Sequence, residues 1–322
     1  MPVNYKKQRL QDVFVLCGFL LCGVGLLCCS KAVSATMTQT LALCVQVLLP
    51  SLFPFFVLSS MFISTGVIQR LSPRLEKPFG WLFGLPGSFG AALLLGAAGG
   101  YPVGAKTIAT LYRQGQCSKR DAEKALCFCN NAGPAFLISA VGTSLLQDSG
   151  VGLKLYAVHL LSAFIIGFIN RKDTNDVKYK SITSDNIQKT NFISLFLRSV
   201  TDAFSSFLNV SAFVLIFAVI TTMLHQLPLI DSVQSLPGGI LWHGLLSGFL
   251  ELTSGVACLT QCMLPSSILL PALSFVCGWG GCSVQFQTIS LLQEAGLSCR
   301  KYLKSKLLQG ILAALFTGMI CF

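Results

Sequence analysis

The apolar residues of this chain run in long blocks. They do not alternate as in a strand or line one stripe of a surface helix. The blocks are Val13–Ser30, Thr40–Ile68, Phe79–Tyr112, Ala125–Leu146, Leu155–Ile169, Ser199–Leu224, Ile240–Cys262, Leu264–Leu292 and a last one ending at Phe322. A membrane span needs roughly 20 apolar residues. Lipid also requires every backbone group to be paired within the protein, which leaves helices or closed barrels. Barrel strands would alternate. The pattern therefore predicts an all-α polytopic membrane protein.

Several blocks are interrupted. Pro50 and Pro54 should kink the second, or divide a short lead-in from the spanning part. The third reads LLLGAAGGYPVGAKTIATLY at its centre, where Gly96, Gly99, Gly100, Pro102 and Gly104 oppose a continuous helix. The fourth carries Asn130-Asn131 followed by Gly133-Pro134. In the second half, Glu251-Leu252-Thr253-Ser254-Gly255 interrupts one block and Gly278-Trp279-Gly280-Gly281 the next.

The interruptions reveal a repeat of pattern. Residues 1–39 read as an N-terminal transmembrane helix, retained rather than cleaved, and a loop. Residues 40–170 and 199–322 then hold four blocks each in the same order: one long, two interrupted, one short and plain. A polar stretch, read as a cytoplasmic linker at 171–198 with a mobile loop at 170–190, separates them. Two inverted repeats, each containing a re-entrant helical hairpin and broken helices, match this order and recur in secondary transporters.

Charge gives the same picture. Only 11% of residues are charged and 53% are hydrophobic, while the net charge is +11. Soluble domains carry about a quarter charged residues. The basic residues sit between the apolar blocks, as the positive-inside rule expects, and not in one groove suited to nucleic acid. With 79–112 as a hairpin from the inside and 240–262 as one from the outside, the loops 69–78, 113–124, 170–198 and 293–306 are cytoplasmic. Every Lys and Arg except Lys31, Lys106 and Lys154 then lies inside; the N-terminus is cytoplasmic and the C-terminus outside. The loop 226–239 has no basic residue. The 14 Cys read as small buried hydrophobes.

Candidate chemistry lies at the interruptions. Gly100, Tyr101, Gly104 and Lys106 combine flexible backbone, exposed helix-end amides and a cation, a set that suits an anion. Snorkelling of Lys106 to the interface is the competing reading. Asn130, Asn131 and Gly133 offer amides for a solute or for capping a broken helix. Glu251, with Thr253 and Ser254, suits a proton, a sodium ion or a pairing with Lys106. Gly280, Gly281, Ser283 and Gln285 serve either a site or close helix packing. Asp202 and Arg198, at i and i+4, read as an interfacial pair. No GxxxxGK[ST], GxSxG or HExxH motif is present, so neither an ATP-driven pump nor a hydrolase is expected. The chain reads as no enzyme, with no cofactor beyond a coupling proton or sodium ion, and no metal site.

SLFPFFVLSSMFISTG at 51–66, GYPVGAK at 100–106, FCNNAGPAF at 128–136, ELTSG at 251–255 and GWGGCSVQFQ at 278–287 closely resemble the YlbJ-type sporulation integral membrane proteins of endospore-forming Firmicutes. That family lies within the broader nucleoside-recognition, or gate-domain, group. The resemblance implies a role in spore formation. It also implies carriage of dipicolinate, a small aromatic dicarboxylate, across the outer forespore membrane. A nucleoside or other organic solute, and a non-transporting scaffold in spore morphogenesis, are the alternatives. The partners expected are thus the solute and the bilayer, with oligomerisation left open and no nucleic acid.

Overall fold

The computed structural model describes residues 5–65, 67–171, 191–226 and 238–320. The mobile loop expected at 170–190, most of the linker at 171–198 and most of the loop 226–239 lie outside the described residues. So does the end of the chain, on which the expected position of the C-terminus depends.

Among the described residues the chain is all-α and contains no strand. The elements are α1 (Tyr5–Cys28), α2 (Ser30–Leu43), α3 (Leu49–Ser64), α4 (Val67–Phe83), α5 (Ser88–Gly99), α6 (Val103–Arg113), α7 (Lys119–Cys129), α8 (Ala135–Leu145, with π-helical hydrogen bonding), α9 (Ser149–Ile169), α10 (Phe192–His225), α11 (Gly239–Leu250), α12 (Leu252–Gln261), α13 (Ser266–Trp279), α14 (Gly281–Glu294) and α15 (Arg300–Ile320). Five stretches are long and apolar enough to cross a membrane: Ser30–Phe62, Ser149–Ile169, Phe192–His225, Ser266–Glu294 and Arg300–Ile320. α4 and α5 pass the same test only as a pair, bent by 83° at the break between them, and would make a sixth if they form one span. This is an integral membrane protein.

Helices extend further than the apolar blocks do. Residues 30–39, expected as a loop, open α2. The basic stretch 69–78 belongs to α4, and Arg300–Lys306 forms the first turns of α15. The physical reason is common to all three. A helix satisfies its backbone as well outside the hydrocarbon as inside, and long basic side chains reach the interface along it. At Pro50 the chain stays helical because a π-helical turn, Cys44–Leu48, precedes it. The wider turn gives the proline ring room where an α-turn would place a carbonyl.

Two segments fold back on themselves. α5 and α6 approach so closely that a Cβ on Gly96 would lie 3.1 Å from the Gly104 Cα and 1.8 Å from the Cys129 carbonyl oxygen. α11 and α12 repeat this closeness, since a Cβ on Gly255 would lie 2.0 Å from the Gly248 Cα. Each folded-back pair is followed by a broken helix, α7–α8 in the first half and α13–α14 in the second, and then by a plain helix, α9 or α15. α4, between α3 and α5, has no counterpart among the described residues of the second half.

α3 packs along α10, and α13 along α15. One apolar core surrounds the breaks and includes Leu52, Phe56, Tyr101, Phe136, Val214, Leu252 and Val276. A second, under α4 and α5, is built on Phe83, Phe89, Ile108 and Phe128, with Phe83 and Phe128 stacked 4.7 Å apart. α1 differs: Phe19, Leu21 and Leu27 are each more than 70% exposed, as expected of a helix facing lipid.

Gly255→Val should prevent α11 and α12 from meeting and cost about 1–3 kcal/mol or more, as overpacking does. Gly23→Ala on α1, where a Cβ meets nothing within 4 Å, should be neutral. Thermal unfolding of the two variants in detergent checks this; equal melting temperatures would refute the packing.

Candidate functional site

Four backbone breaks lie against one another. In the first, Gly100 adopts φ +75°, a conformation that favours glycine, just before Pro102, which has no N–H to continue α5. In the second, extended Asn130 ends α7, and the chain turns through Gly133. These two touch: a Cβ on Gly133 would lie 2.9 Å from the Gly100 Cα. In the third, extended Glu251 separates α11 from α12. In the fourth, Gly280 and Gly281 separate α13 from α14. These also touch, since a Cβ on Gly281 would lie 2.6 Å from the Leu252 nitrogen. The Tyr101 ring joins the two pairs. Its hydroxyl donates to the Cys277 carbonyl at 3.4 Å and would meet a Cβ on Gly280 at 3.4 Å.

Each break is closed by side chains. The Glu251 carboxylate is fully buried and accepts from the Thr253 and Ser254 amides, capping α12. Ser283 Oγ donates to the same carboxylate at 3.4 Å. Gln285 Nε2 donates to the Trp279 carbonyl, and Trp279 Nε1 donates to the Phe249 carbonyl at 2.9 Å. Asn130 binds three elements: its Oδ1 accepts from the Ala105 amide at 3.3 Å, and its Nδ2 donates to Thr288 and Tyr302 at 3.2 and 3.0 Å. Asn131 Nδ2 donates to the Phe128 carbonyl at 2.7 Å, ending α7. The Ala132 amide donates to His159 Nε2 at 3.1 Å.

The interior cation is Lys306, on α15. It is fully buried, donates to the Asn130 carbonyl at 2.7 Å and to Gln309 Oε1 at 2.6 Å, and lies 5.0 Å from the centre of the Tyr101 ring. Gln309 in turn donates to Asn131 Oδ1 at 3.0 Å and to the His159 carbonyl at 3.2 Å. A lysine at membrane depth costs several kcal/mol unless such partners surround it. No carboxylate is among them; the salt bridge among the described residues, Arg113 with Glu294 at 3.9 Å, is elsewhere. α15 is thus polar inward, through Tyr302, Lys306, Gln309 and Thr317, and apolar outward, through Leu308, Ile311, Leu315 and Met319.

The sequence candidates separate into three groups. Gly100, Tyr101, Gly133, Glu251 and Thr253 line one cavity of about 50 Å³, with Ala132, Leu252, Val284 and Gln287. Asn130, Asn131, Ser254, Ser283, Gln285, Gly104, Gly280 and Gly281 support the breaks around it. Lys106 is exposed, forms no ion pair with Glu251, and lines a different cavity together with Arg198 and Asp202. Arg198 and Asp202 likewise form no ion pair with each other.

Sequence reading missed Lys306, Gln309, Tyr302, His159, Gln287 and Thr288. Gln287 is 1% exposed, and its Nε2 has no hydrogen-bond partner among the described residues. A signal for the α15 group exists: Tyr302, Lys306, Gln309 and Ala313 recur at spacings of four, three and four, one face of a helix.

Interrupted apolar helices that meet in the interior define a class, the polytopic α-helical membrane proteins. Residues 45–149, which contain the first two breaks, match the Gate family model, described as nucleoside recognition. Along most of its length the chain is similar to the sporulation integral membrane protein YlbJ of Bacillus subtilis (strain 168), with 28% identity over 305 residues, 85% of this chain and 74% of that protein. The resemblance drawn from the motifs thus holds in both comparisons. No solved structure matches the chain at a significant level.

Lys306→Met leaves the Asn130 carbonyl and Gln309 Oε1 unpaired, at about 1–3 kcal/mol for each buried polar group. The variant should therefore unfold at clearly lower temperature or denaturant, whereas Lys106→Met, at an exposed position, should stay within about 0.5 kcal/mol of the parent. Chemical denaturation of both in detergent distinguishes them, and equal losses would contradict Lys306 as the interior cation.

Proposed function

We propose that the chain is a secondary transporter of a small polar or anionic solute, working in spore formation as the name of its Bacillus relative suggests. The observation that supports this reading is the meeting of four helix breaks, two from each half, beside one small cavity that Gly100, Gly133 and Glu251 line, with Lys306 over the face of the Tyr101 ring. Broken backbone persists at membrane depth where it lines protein or a water-filled space. A fold held together only by packing has no need to converge its interruptions.

The cavity, about 50 Å³, is far below the ~300 Å³ or more of ligand sites. It corresponds to a closed state. Admission of a solute requires the breaks of one half to separate from those of the other, with Tyr101 released from Cys277 and Gly280. Residues 40–170 and 199–322 then act as inverted repeats, and their folded-back pairs as re-entrant hairpins that part alternately on each side. Lys306, freed from the Tyr101 face, meets a carboxylate of the solute. Glu251 couples the step to a proton or sodium ion. The chain sits in the plasma membrane or outer forespore membrane with its N-terminus cytoplasmic and its C-terminus outside.

Dipicolinate is the first solute to test, and uridine the second because of the Gate description. In sealed vesicles containing the purified chain, dipicolinate should accumulate above the level in empty vesicles, and Glu251→Gln should lower its rate at least about tenfold. Uptake of uridine without dipicolinate would replace the substrate. Flux of neither would leave the scaffold reading.

A further inference from the structure

Lys106 lines a second cavity, of about 210 Å³, with Phe56, Ser59, Ser60, Pro102, Val103, Thr110, Arg198, Asp202, Ala203 and Ser206. Its three walls are those of the central cavity, one or two turns further along. On α3, Leu52 lines the central cavity, and Phe56, Ser59 and Ser60 the second. On α10, Val214 and Val210 line the first, and Ser206, Asp202 and Arg198 the second, every step being four residues. Four residues bring a helix back to one face. On the break and α6, Gly100 and Tyr101 line the first, and Pro102, Val103, Lys106 and Thr110 the second. The two cavities therefore occupy one groove between α3, α6 and α10. Phe56, 2% exposed, lines the second cavity one helical turn from Leu52, which lines the first.

The chemistry changes along the groove. The outer cavity holds the cations Lys106 and Arg198, the carboxylate Asp202 and the hydroxyls of Ser59, Ser60, Thr110 and Ser206. Its charge is net positive, with neutral donors in the walls. Among the described residues neither cation is ion-paired. Such a concave, cationic mouth concentrates anions.

We infer that the outer cavity is an anion-binding vestibule for a small dissolved carboxylate, joined to the central cavity through a gate formed by Phe56. The inference rests on the transport reading for its purpose, but its test does not. Lys106 and Arg198 select the charge, Asp202 limits how tightly a dianion is held, and the hydroxyls orient it. Displacement of the Phe56 ring opens the way to Tyr101 and Glu251.

The test measures thiol modification in the full chain in vesicles, with the unsubstituted chain as background for its native cysteines. Ser206→Cys should react about tenfold faster with a sulfonate-bearing methanethiosulfonate than with a trimethylammonium one, each normalised to a free thiol. Lys106→Gln with Arg198→Gln should abolish that preference, and Asp202→Asn should increase it. Val210→Cys should react at least about tenfold faster when Phe56 is replaced by Ala, or by Leu where the Ala variant is poorly folded. Dipicolinate should slow modification of Ser206→Cys equally in phosphatidylcholine vesicles and in those containing phosphatidylglycerol.

Absence of anion preference, or a Val210→Cys rate unchanged by both Phe56 variants, overturns the inference. So does protection by phosphatidylglycerol alone, which would assign the cavity to a lipid headgroup. Anion preference and Phe56 gating in a chain that moves no solute would uphold the vestibule and end the transport reading.

Discussion

Everything in this fold depends on supplying partners to backbone that leaves the helix inside a membrane. Water is excluded there, so each freed amide or carbonyl must find a protein group. Asn130 and Lys306 carry most of that duty in the first half. One side chain of Asn130 reaches α6, α14 and α15, while its carbonyl receives the lysine ammonium. In the second half Glu251 does comparable work within four residues by capping the helix it begins. The two solutions differ in reach. The first ties several elements together, and the second reaches beyond its own turn only to Ser283. Loss of Lys306 would therefore be felt by more of the molecule.

The positions of the breaks were legible because the residues that cause them are written into the chain. Gly100 and Pro102, Asn130 to Pro134, and Gly280-Gly281 each forbid or discourage the next helical hydrogen bond. Glu251 was legible for another reason, as a carboxylate that apolar surroundings make conspicuous. Partners across the fold were not legible. Lys106 and Tyr101 lie five residues apart, yet one opens onto the outer cavity and the other closes the inner one. Lys306 was hidden by its neighbours: Arg300, Lys301 and Lys304 make the segment look like a cytoplasmic loop. It is a helix with two unlike faces, and the lysine on its inner face is the one that matters.

The contrast between the two lysines also shows why charge alone is a weak guide to membrane sites. Both lie at the polar margin of an apolar block. Lys106 points to a space wide enough to hydrate it, which costs little. Lys306 is surrounded by an amide from its own helix and by a carbonyl and an aromatic face from the first two breaks.

The π-helical bonding of α8 bears on how such a structure can yield. π-Helices mostly occur as single turns; here the pattern runs for eleven residues, directly after the Asn130–Pro134 break. A π-helix packs more residues into each turn than an α-helix. Its carbonyls therefore have a second set of amide partners one residue nearer in sequence. A switch to that set lengthens the rod and rotates its side chains without breaking any covalent or helical continuity. α8 thus holds more residues per unit of its length than an α-helix would, directly after the second break.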